Sequence, residues 1–489
     1  MNTLMDRDVC DRARLARDPR FDGLFFIGVK TTGIYCRPIC PAPSPRPENI
    51  VYYPSAAAAA AAGLRPCMRC RPETAPGTPA WNGTSATVSR ALFLIRQGAL
   101  DDGSVNDLAA RLGVGTRHLR RLFRQHIGAT PKALADNHRL LFAKRLMVET
   151  DMPITQAALA AGYGSLRRCN AAFRRYVGCT PSQLRRRRPQ TRPRSDSGFR
   201  CTLTLSYRPP YDWDRMLAFF QERAIPGVEW AAGGTYRRTI RLSATRGTLA
   251  VRHAQRGYAL ELDVCMTDSR ELLPVVERVR RMFDLDANPQ AIQQTLIQDP
   301  LLAERIRKAP GLRLPGSWDP FETTVRAVVG QQISVKGAVT QLGRIAGLVG
   351  RVHDGDGEIH LNRFFPSADE FLAANMAEIG MPRKRKETLR QIAQLIVKGV
   401  LQLDGIGQLS QFVDTLKTIA GIGDWTAHYV AMRALGEPDA FPASDLGIMK
   451  ALQKGGARPT VNQVRLRAEA WRPWRAYAAV YLWLVEEAK

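Results

Sequence analysis

The chain has 489 residues, 45% of them hydrophobic, and its 71 Lys and Arg outnumber 45 Asp and Glu to give a formal charge of +26. That length exceeds one ordinary hydrophobic core and predicts three or more domains. The charge points to a polyanionic partner, nucleic acid ahead of a membrane surface, because no apolar run approaches the roughly 20 residues that span a bilayer. Met1 to Asp8 contains no apolar signal segment and the nine cysteines form no disulfide framework, so a reducing cytoplasm is expected.

In chain order, the first signal is Cys36-x3-Cys40 followed by Cys67-x2-Cys70. Two turn-borne pairs of thiols at this spacing predict one closed, tetrahedral zinc site. Such a site can be a staple and nothing more, but Arg37 and Pro38 sit among the thiols in Thr31-Thr32-Gly33-Ile34-Tyr35-Cys36-Arg37-Pro38-Ile39-Cys40, a basic setting for a structural knot. The run from Ala56 to Ala62 reads as a short helix.

Pro72 to Pro79 reads as a linker. Beyond it, residues 90–200 hold 22 Lys and Arg but seven Asp and Glu, on a helical period of apolar residues. Ser104 to Val114, a helix ending in a Gly turn, precedes the basic helix Thr116 to Arg124. A second copy runs from Ile154 to Phe173. This is the helix-turn-helix layout, twice. Leu119, Leu122, Phe123, Leu166 and Phe173 face a core in this reading, which leaves Arg117, Arg120, Arg121, Arg167, Arg168 and Arg174 for solvent, phosphate or guanine edges.

These segments resemble the AraC-type regulators, including Gly128-Ala129-Thr130-Pro131 and Gly178-Cys179-Thr180-Pro181 at the end of each copy. Together with the cysteine strings, residues 1–190 resemble the N-terminal half of the Ada methylation-response family. The resemblance implies that Cys36 takes a methyl group from a methylphosphotriester. Four thiolates on Zn²⁺ carry a net charge of about −2, which keeps sulfur nucleophilic but opposes a phosphate backbone. Methylation removes one negative charge, so DNA affinity rises and repair becomes a transcriptional signal. Cys10, Cys169, Cys179, Cys201 and Cys265 read as ordinary thiols.

The Pro-, Arg- and Ser-rich stretch from Arg185 to Gly198 reads as a second linker, a tether allowing independent motion. Short alternating runs at 201–205, 239–242, 248–251 and 260–264 then predict antiparallel strands. From about Glu271 the pattern is helical. Leu416 to Ala427 contains helix, Gly421-Ile422-Gly423 turn and helix, in which Gly421 and Gly423 allow backbone amides to approach a phosphate. Asp445 lies 22 residues past Gly423.

This half resembles the helix-hairpin-helix DNA glycosylases of the AlkA branch, over Pro209-Pro210-Tyr211-Asp212-Trp213, Pro310 to Gly316, Val325 to Gln331 and Trp474-Arg475-Ala476-Tyr477. The resemblance implies that Asp445 is the catalytic carboxylate, stabilising an oxocarbenium-like sugar, and that Trp425, Tyr429 and Trp483 stack on a flipped cationic base. Lyase relatives place a Schiff-base lysine where Trp425 stands, so one-step hydrolysis is expected. No cysteine follows Cys265, so no iron-sulfur cluster is expected. Gln332 occupies the wedge position where the best-known pattern has leucine. The Pro-Cys-His-Arg transferase motif of the Ada family is absent.

The expected architecture is multidomain α+β: a zinc methyl-acceptor domain at 1–78, an all-α double helix-turn-helix domain at 84–188, a linker at 189–199, an antiparallel-sheet subdomain at 200–285 and a helix-hairpin-helix glycosylase domain at 286–489. The expected function is sensing of methylphosphotriesters with transcriptional control, joined to hydrolytic excision of 3-methyladenine-type bases. Partners are promoter and alkylated duplex DNA and RNA polymerase, in a bacterial cytoplasm and on its nucleoid. The alternatives are a regulator with structural zinc and a non-catalytic glycosylase-like domain, and a glycosylase whose zinc module only increases DNA affinity.

Overall fold

The computed structural model describes residues 6–77, 86–101, 103–186, 199–353, 360–375, 378–403, 409–453 and 457–484. Most of the 189–199 tether, and the end of the Pro72 to Pro79 stretch, fall outside them.

The N-terminal module is a four-stranded sheet in the order β3 (Ile50–Tyr53), β1 (Phe26–Val29), β2 (Ile34–Cys36), β4 (Arg65–Pro66), flanked by helices α1 (Arg7–Leu15) and α2 (Ala56–Ala61). The strands are too short for alternation to show in the sequence. Their pairing does the positioning: β2 and β4 run parallel with Tyr35 opposite Pro66, so Cys36, the last residue of β2, and Cys67, just past β4, fall side by side.

Helices α3 (Ala86–Arg96), α4 (Val105–Arg111), α5 (Thr116–Ile127), α6 (Pro131–Glu149), α7 (Ile154–Ala160), α8 (Leu166–Tyr176) and α9 (Pro181–Arg186) follow. Ser104 and Asp107 form a reciprocal capping box that starts α4, and Gly113 (φ +67°) and Gly162 (φ +81°) supply the left-handed residues at the two turns. The long α6 is buried on several sides: Asn137, Arg139, Lys144 and Arg145 are all buried.

Next comes an antiparallel sheet in the order β5 (Phe199–Ser206), β9 (Ala259–Met266), β8 (Arg246–His253), β7 (Thr235–Arg241), β6 (Glu229–Ala232). The short edge strand β6 was not anticipated. Helices α10 (Trp213–Glu222) and α11 (Leu272–Met282) cover it. The remaining helices are α12 (Pro289–Leu296), α13 (Pro300–Lys308), α14 (Pro320–Val329), α15 (Val335–Val349), α16 (Ala368–Ala373), α17 (Arg383–Val397), α18 (Leu409–Lys417), α19 (Asp424–Ala434), α20 (Leu446–Ala451), α21 (Val461–Ala468) and α22 (Arg475–Leu482). Among the described residues no helix is long and apolar enough to cross a membrane.

The expected independence of the two halves is not what the structure shows. Phe142, Leu146, Cys169 and Phe173 of the helical module and Leu203, Leu205, Leu249 and Leu262 of the second sheet belong to one buried cluster. Ion pairs flank it, two within the N-terminal half and one reaching across to the C-terminal half. Lys144 Nζ meets Glu73 at 2.6 Å, Arg71 meets Glu149 at 2.7 Å and Arg96 meets Asp286 at 2.8 Å. Fully buried Arg208 donates to the Gly77 carbonyl at 2.6 Å. A tether's composition reports on the tether; the apolar faces on either side decide whether its neighbours dock.

Candidate functional sites: thiol cluster, arginine faces and aromatic pocket

The Sγ atoms of Cys36, Cys40, Cys67 and Cys70 lie within 4.8 Å of one another. Zinc with sulfur at about 2.3 Å asks for a tetrahedron of this size, so four soft donors fit the ion and the cluster is a zinc site. Cys67 and Cys70 are buried, whereas Cys36 and Cys40 are half exposed. The sulfurs also differ in hydrogen bonding. The Arg69 N–H donates to Cys67 Sγ at 3.4 Å, the Arg37 N–H to Cys70 Sγ at 3.3 Å, and the Ala42 backbone N–H to Cys40. Among the described residues Cys36 Sγ receives no N–H donor, so its electron pairs are the least committed.

Arg37, set between the first two thiols in the sequence, is buried rather than facing solvent. Its buried guanidinium donates to both Asp22 oxygens, to the Cys70 carbonyl at 3.1 Å and to Thr74 Oγ1 at 2.6 Å. It braces the ligand loops. Arg65 and Arg69 are the exposed cations here. Elsewhere, burial pushes the Cys10 and Cys201 thiols up to about 12 and the Cys169 thiol to about 11, as expected of inert thiols.

On α5, Leu119 and Phe123 are fully buried while Arg117, Arg120 and Arg121 are exposed; on α8, Cys169 and Phe173 are buried while Arg167, Arg168 and Arg174 are exposed. None of these arginines has a carboxylate partner among the described residues. Each copy therefore presents an uncompensated cationic face.

The third site lies where the hairpin from α18 to α19 meets α20 and the end of α22. Asp445 is the N-cap of α20: its Oδ1 accepts from the Ile448 N–H at 3.0 Å. Trp483 Nε1 donates to Oδ1 at 2.8 Å, and Trp425 Nε1 donates to Oδ2 at 2.8 Å. Trp425 stacks on Tyr429, 5.0 Å between centroids at 15°, and Tyr429 lies 6.5 Å from Trp483. The four residues singled out from sequence thus converge, and the two tryptophans have a second task that stacking alone did not reveal.

Gly421 takes φ +89°, and a Cβ there would lie 2.3 Å from Thr388 Oγ1. Gly423, the N-cap of α19, faces open space, which leaves the backbone there accessible. Gln332 stands exposed between α14 and α15 at φ +58°. That is a strained conformation for a side chain with Cβ. The neighbouring Gln331 Nε2 ties this loop to the hairpin through the Gly421 carbonyl (3.0 Å) and Thr426 Oγ1 (2.9 Å). Sequence reasoning missed Gln331, Phe219 and Arg433. Phe219 belongs to α10, far from the hairpin in sequence, and Arg433 looked like any helical arginine.

Three family profiles match the chain: the metal-binding domain of Ada at residues 9–73, a helix-turn-helix domain at 108–187 and the AlkA N-terminal domain at 202–319. The chain is 39% identical over 484 residues to a probable bifunctional transcriptional activator/DNA repair enzyme AlkA of Mycobacterium tuberculosis, covering 99% of this chain and 97% of that protein. It is 35% identical over 286 residues to DNA-3-methyladenine glycosylase 2 of Escherichia coli, which is 58% of this chain and 97% of that one. A 3-methyladenine DNA-glycosylase from Archaeoglobus fulgidus shares the fold of the C-terminal part, with a TM-score of 0.51 at 24% identity over 58% of this chain and 97% of that chain. The chain belongs to the family of bifunctional transcriptional activator/DNA repair proteins in which an Ada-type regulatory half is fused to an AlkA-type glycosylase half.

Proposed function

We propose that the C-terminal half hydrolyses the N-glycosidic bond of alkylated bases of the 3-methyladenine type, with Asp445 as the catalytic carboxylate. The observation that carries this is the clamp on Asp445: three N–H donors fix both oxygens at the edge of an aromatic pocket. As the C1′–N bond breaks, its electron pair leaves with the base and the sugar gains positive charge. A carboxylate already oriented stabilises that charge without reorganising, and water then adds to C1′. The Trp425, Tyr429 and Trp483 faces stack on the flipped base. Gln332 occupies the space that the base vacates, and the Gly421 to Gly423 turn holds the backbone.

In the N-terminal half, Cys36 Sγ takes the methyl group of a methylphosphotriester: an S–C bond forms, the C–O bond breaks, and the electron pair stays on the phosphate oxygen. Zinc, when bound, keeps the sulfurs deprotonated. The half-exposed position of Cys36 and its lack of an N–H donor support it as the acceptor. The loss of negative charge beside Arg65 and Arg69 then favours DNA, and the arginine faces of α5 and α8 bind the promoter. Recruitment of RNA polymerase and association with the nucleoid complete the reading.

Single-turnover base release from duplex DNA carrying 3-methyladenine tests the first part. Wild type is expected to release the base far faster than Asp445→Asn; Asn is also a good N-cap, so α20 is kept. Equal release rates for the two proteins would remove Asp445 from the chemistry. For the second part, a gain of one methyl group on the Cys36 peptide is expected after incubation with methylphosphotriester DNA.

A further inference from the structure

Arg433 of α19 lies behind the pocket, and its surroundings are unusual for a guanidinium. It is 5% exposed, its NH1 donates to the Pro315 carbonyl at 2.6 Å, and its Nε has no hydrogen-bond partner among the described residues. Among the described residues no carboxylate pairs with it. Three aromatic faces surround it instead: Phe219 at 4.4 Å, Tyr429 at 5.5 Å and Trp483 at 5.5 Å from its central carbon. Burial lowers its pKa, the Tyr429 hydroxyl beside it opposes that fall and the neighbouring Arg223 adds to it, yet a guanidinium stays protonated in proteins. A fixed, uncompensated cation therefore underlies Tyr429 and Trp483 while Asp445 sits at the indole N–H edges of Trp425 and Trp483.

We infer that Arg433 is a specificity-determining residue of the glycosylase, a buried charge that acts through the pocket aromatics on the electrons of the departing base. This rests on the reading that the pocket receives the flipped base. Bond cleavage moves an electron pair from the C1′–N bond onto the base, while positive charge develops on the sugar. A cation on the base side and a carboxylate on the sugar side match both changes. The consequence differs with the lesion. A neutral base such as hypoxanthine becomes anionic as it leaves, so Arg433 lowers its barrier measured from free enzyme and DNA. A cationic base such as 3-methyladenine leaves nearly neutral. Arg433 weakens its binding and accelerates its bound state by similar factors, and the two effects offset in kcat/KM.

The test is single-turnover release of hypoxanthine and of 3-methyladenine from otherwise identical duplexes by the full chain carrying Arg433→Gln or Arg433→Lys, with melting curves to check folding. For Arg433→Gln the expected result is a loss of about tenfold or more in second-order rate for hypoxanthine. With 3-methyladenine the second-order rate should stay within about threefold, made of tighter binding and a slower bound step. Arg433→Lys keeps the charge and should keep the ratio between lesions, which holds the inference open to refutation even if the Gln variant does not fold. Equal losses for both lesions, or a Lys variant that shifts the ratio like Gln, would reduce Arg433 to packing. Wild type that releases 3-methyladenine but no hypoxanthine also overturns the inference. If wild type releases neither base, the glycosylase reading fails with it.

Discussion

Replacing Trp425 or Trp483 by Phe keeps a ring in the pocket and deletes one indole N–H to Asp445. Each deleted bond is 2.8 Å long and ends on a carboxylate oxygen, and a hydrogen bond to a charged group contributes roughly 1.5–3 kcal/mol. If that orientation is used in the transition state, each substitution slows the bound chemical step by about ten- to hundredfold, since 1.36 kcal/mol is a factor of ten. Trp483→Phe leaves Oδ1 the Ile448 N–H, whereas Trp425→Phe leaves Oδ2 with no donor among the described residues, so the latter is expected to be slower. The assay is single-turnover release of 3-methyladenine at saturating enzyme, in a cycle with Asp445→Asn. In the Asn background Trp425→Phe should cost little more, because its partner's charge is already gone. A Trp425→Phe enzyme that binds weakly but reacts at the wild-type bound rate, or that loses its full factor in the Asn background, would refute the clamp.

Gly421→Ala places a Cβ against Thr388 at φ +89° and is expected to lower stability by about 2 kcal/mol in a melting experiment; Gly423→Ala meets nothing within 4 Å and should melt normally but titrate DNA more weakly. Asp286→Ala leaves Arg280 and Arg96 without their shared carboxylate and frees the Gly77 N–H. It should cost about 3 kcal/mol and make the two halves melt in separate transitions. Burial raises the Glu437 carboxyl from 4.5 to about 7, against a hydrogen bond from the Asp439 backbone. The folded chain thus holds that proton more tightly than the unfolded chain, and stability from this group is full below about pH 4.5 and lost as pH rises to about 7. Glu437→Gln should abolish that decline in urea titrations and exceed wild type at pH 8 by at most about 3 kcal/mol.

The candidate sites were legible in the sequence where they are carried by scarce residue types at short spacing. Cys36, Cys40, Cys67 and Cys70 specify a metal by their identity, and Gly421-Ile422-Gly423 specifies a turn that other residues adopt at a cost. The helical period of 104–176 placed Leu119 and Phe173 inside and the arginines outside. What was not legible depends on long-range pairing. The parallel register of two- and three-residue strands that sets Cys36 beside Cys67 leaves no alternation to read. Phe219 and Arg433 meet only after the sheet subdomain docks on the helices. The role of Trp425 and Trp483 as donors to Asp445 depends on the direction of two indole edges, which no spacing encodes.

The docking of the two halves has a consequence for how sensing and repair are joined. Glu73, three residues beyond the zinc ligand Cys70, pairs with Lys144 of α6. The adjacent Arg145 donates to the Thr204 carbonyl of β5 and pairs with Glu149, which also takes Arg71. Thr74, on the same turn as Glu73, is held by Arg37, whose own N–H donates to Cys70 Sγ. Ligand loop, regulatory spine and glycosylase sheet are thus joined by contiguous contacts. If this path couples the halves, a Glu73→Gln chain, in which Lys144 is buried without its counter-charge, should lose stability in both halves. A loss confined to the zinc module, with melting of the glycosylase half unchanged, would show that the regulatory half merely rests on its neighbour.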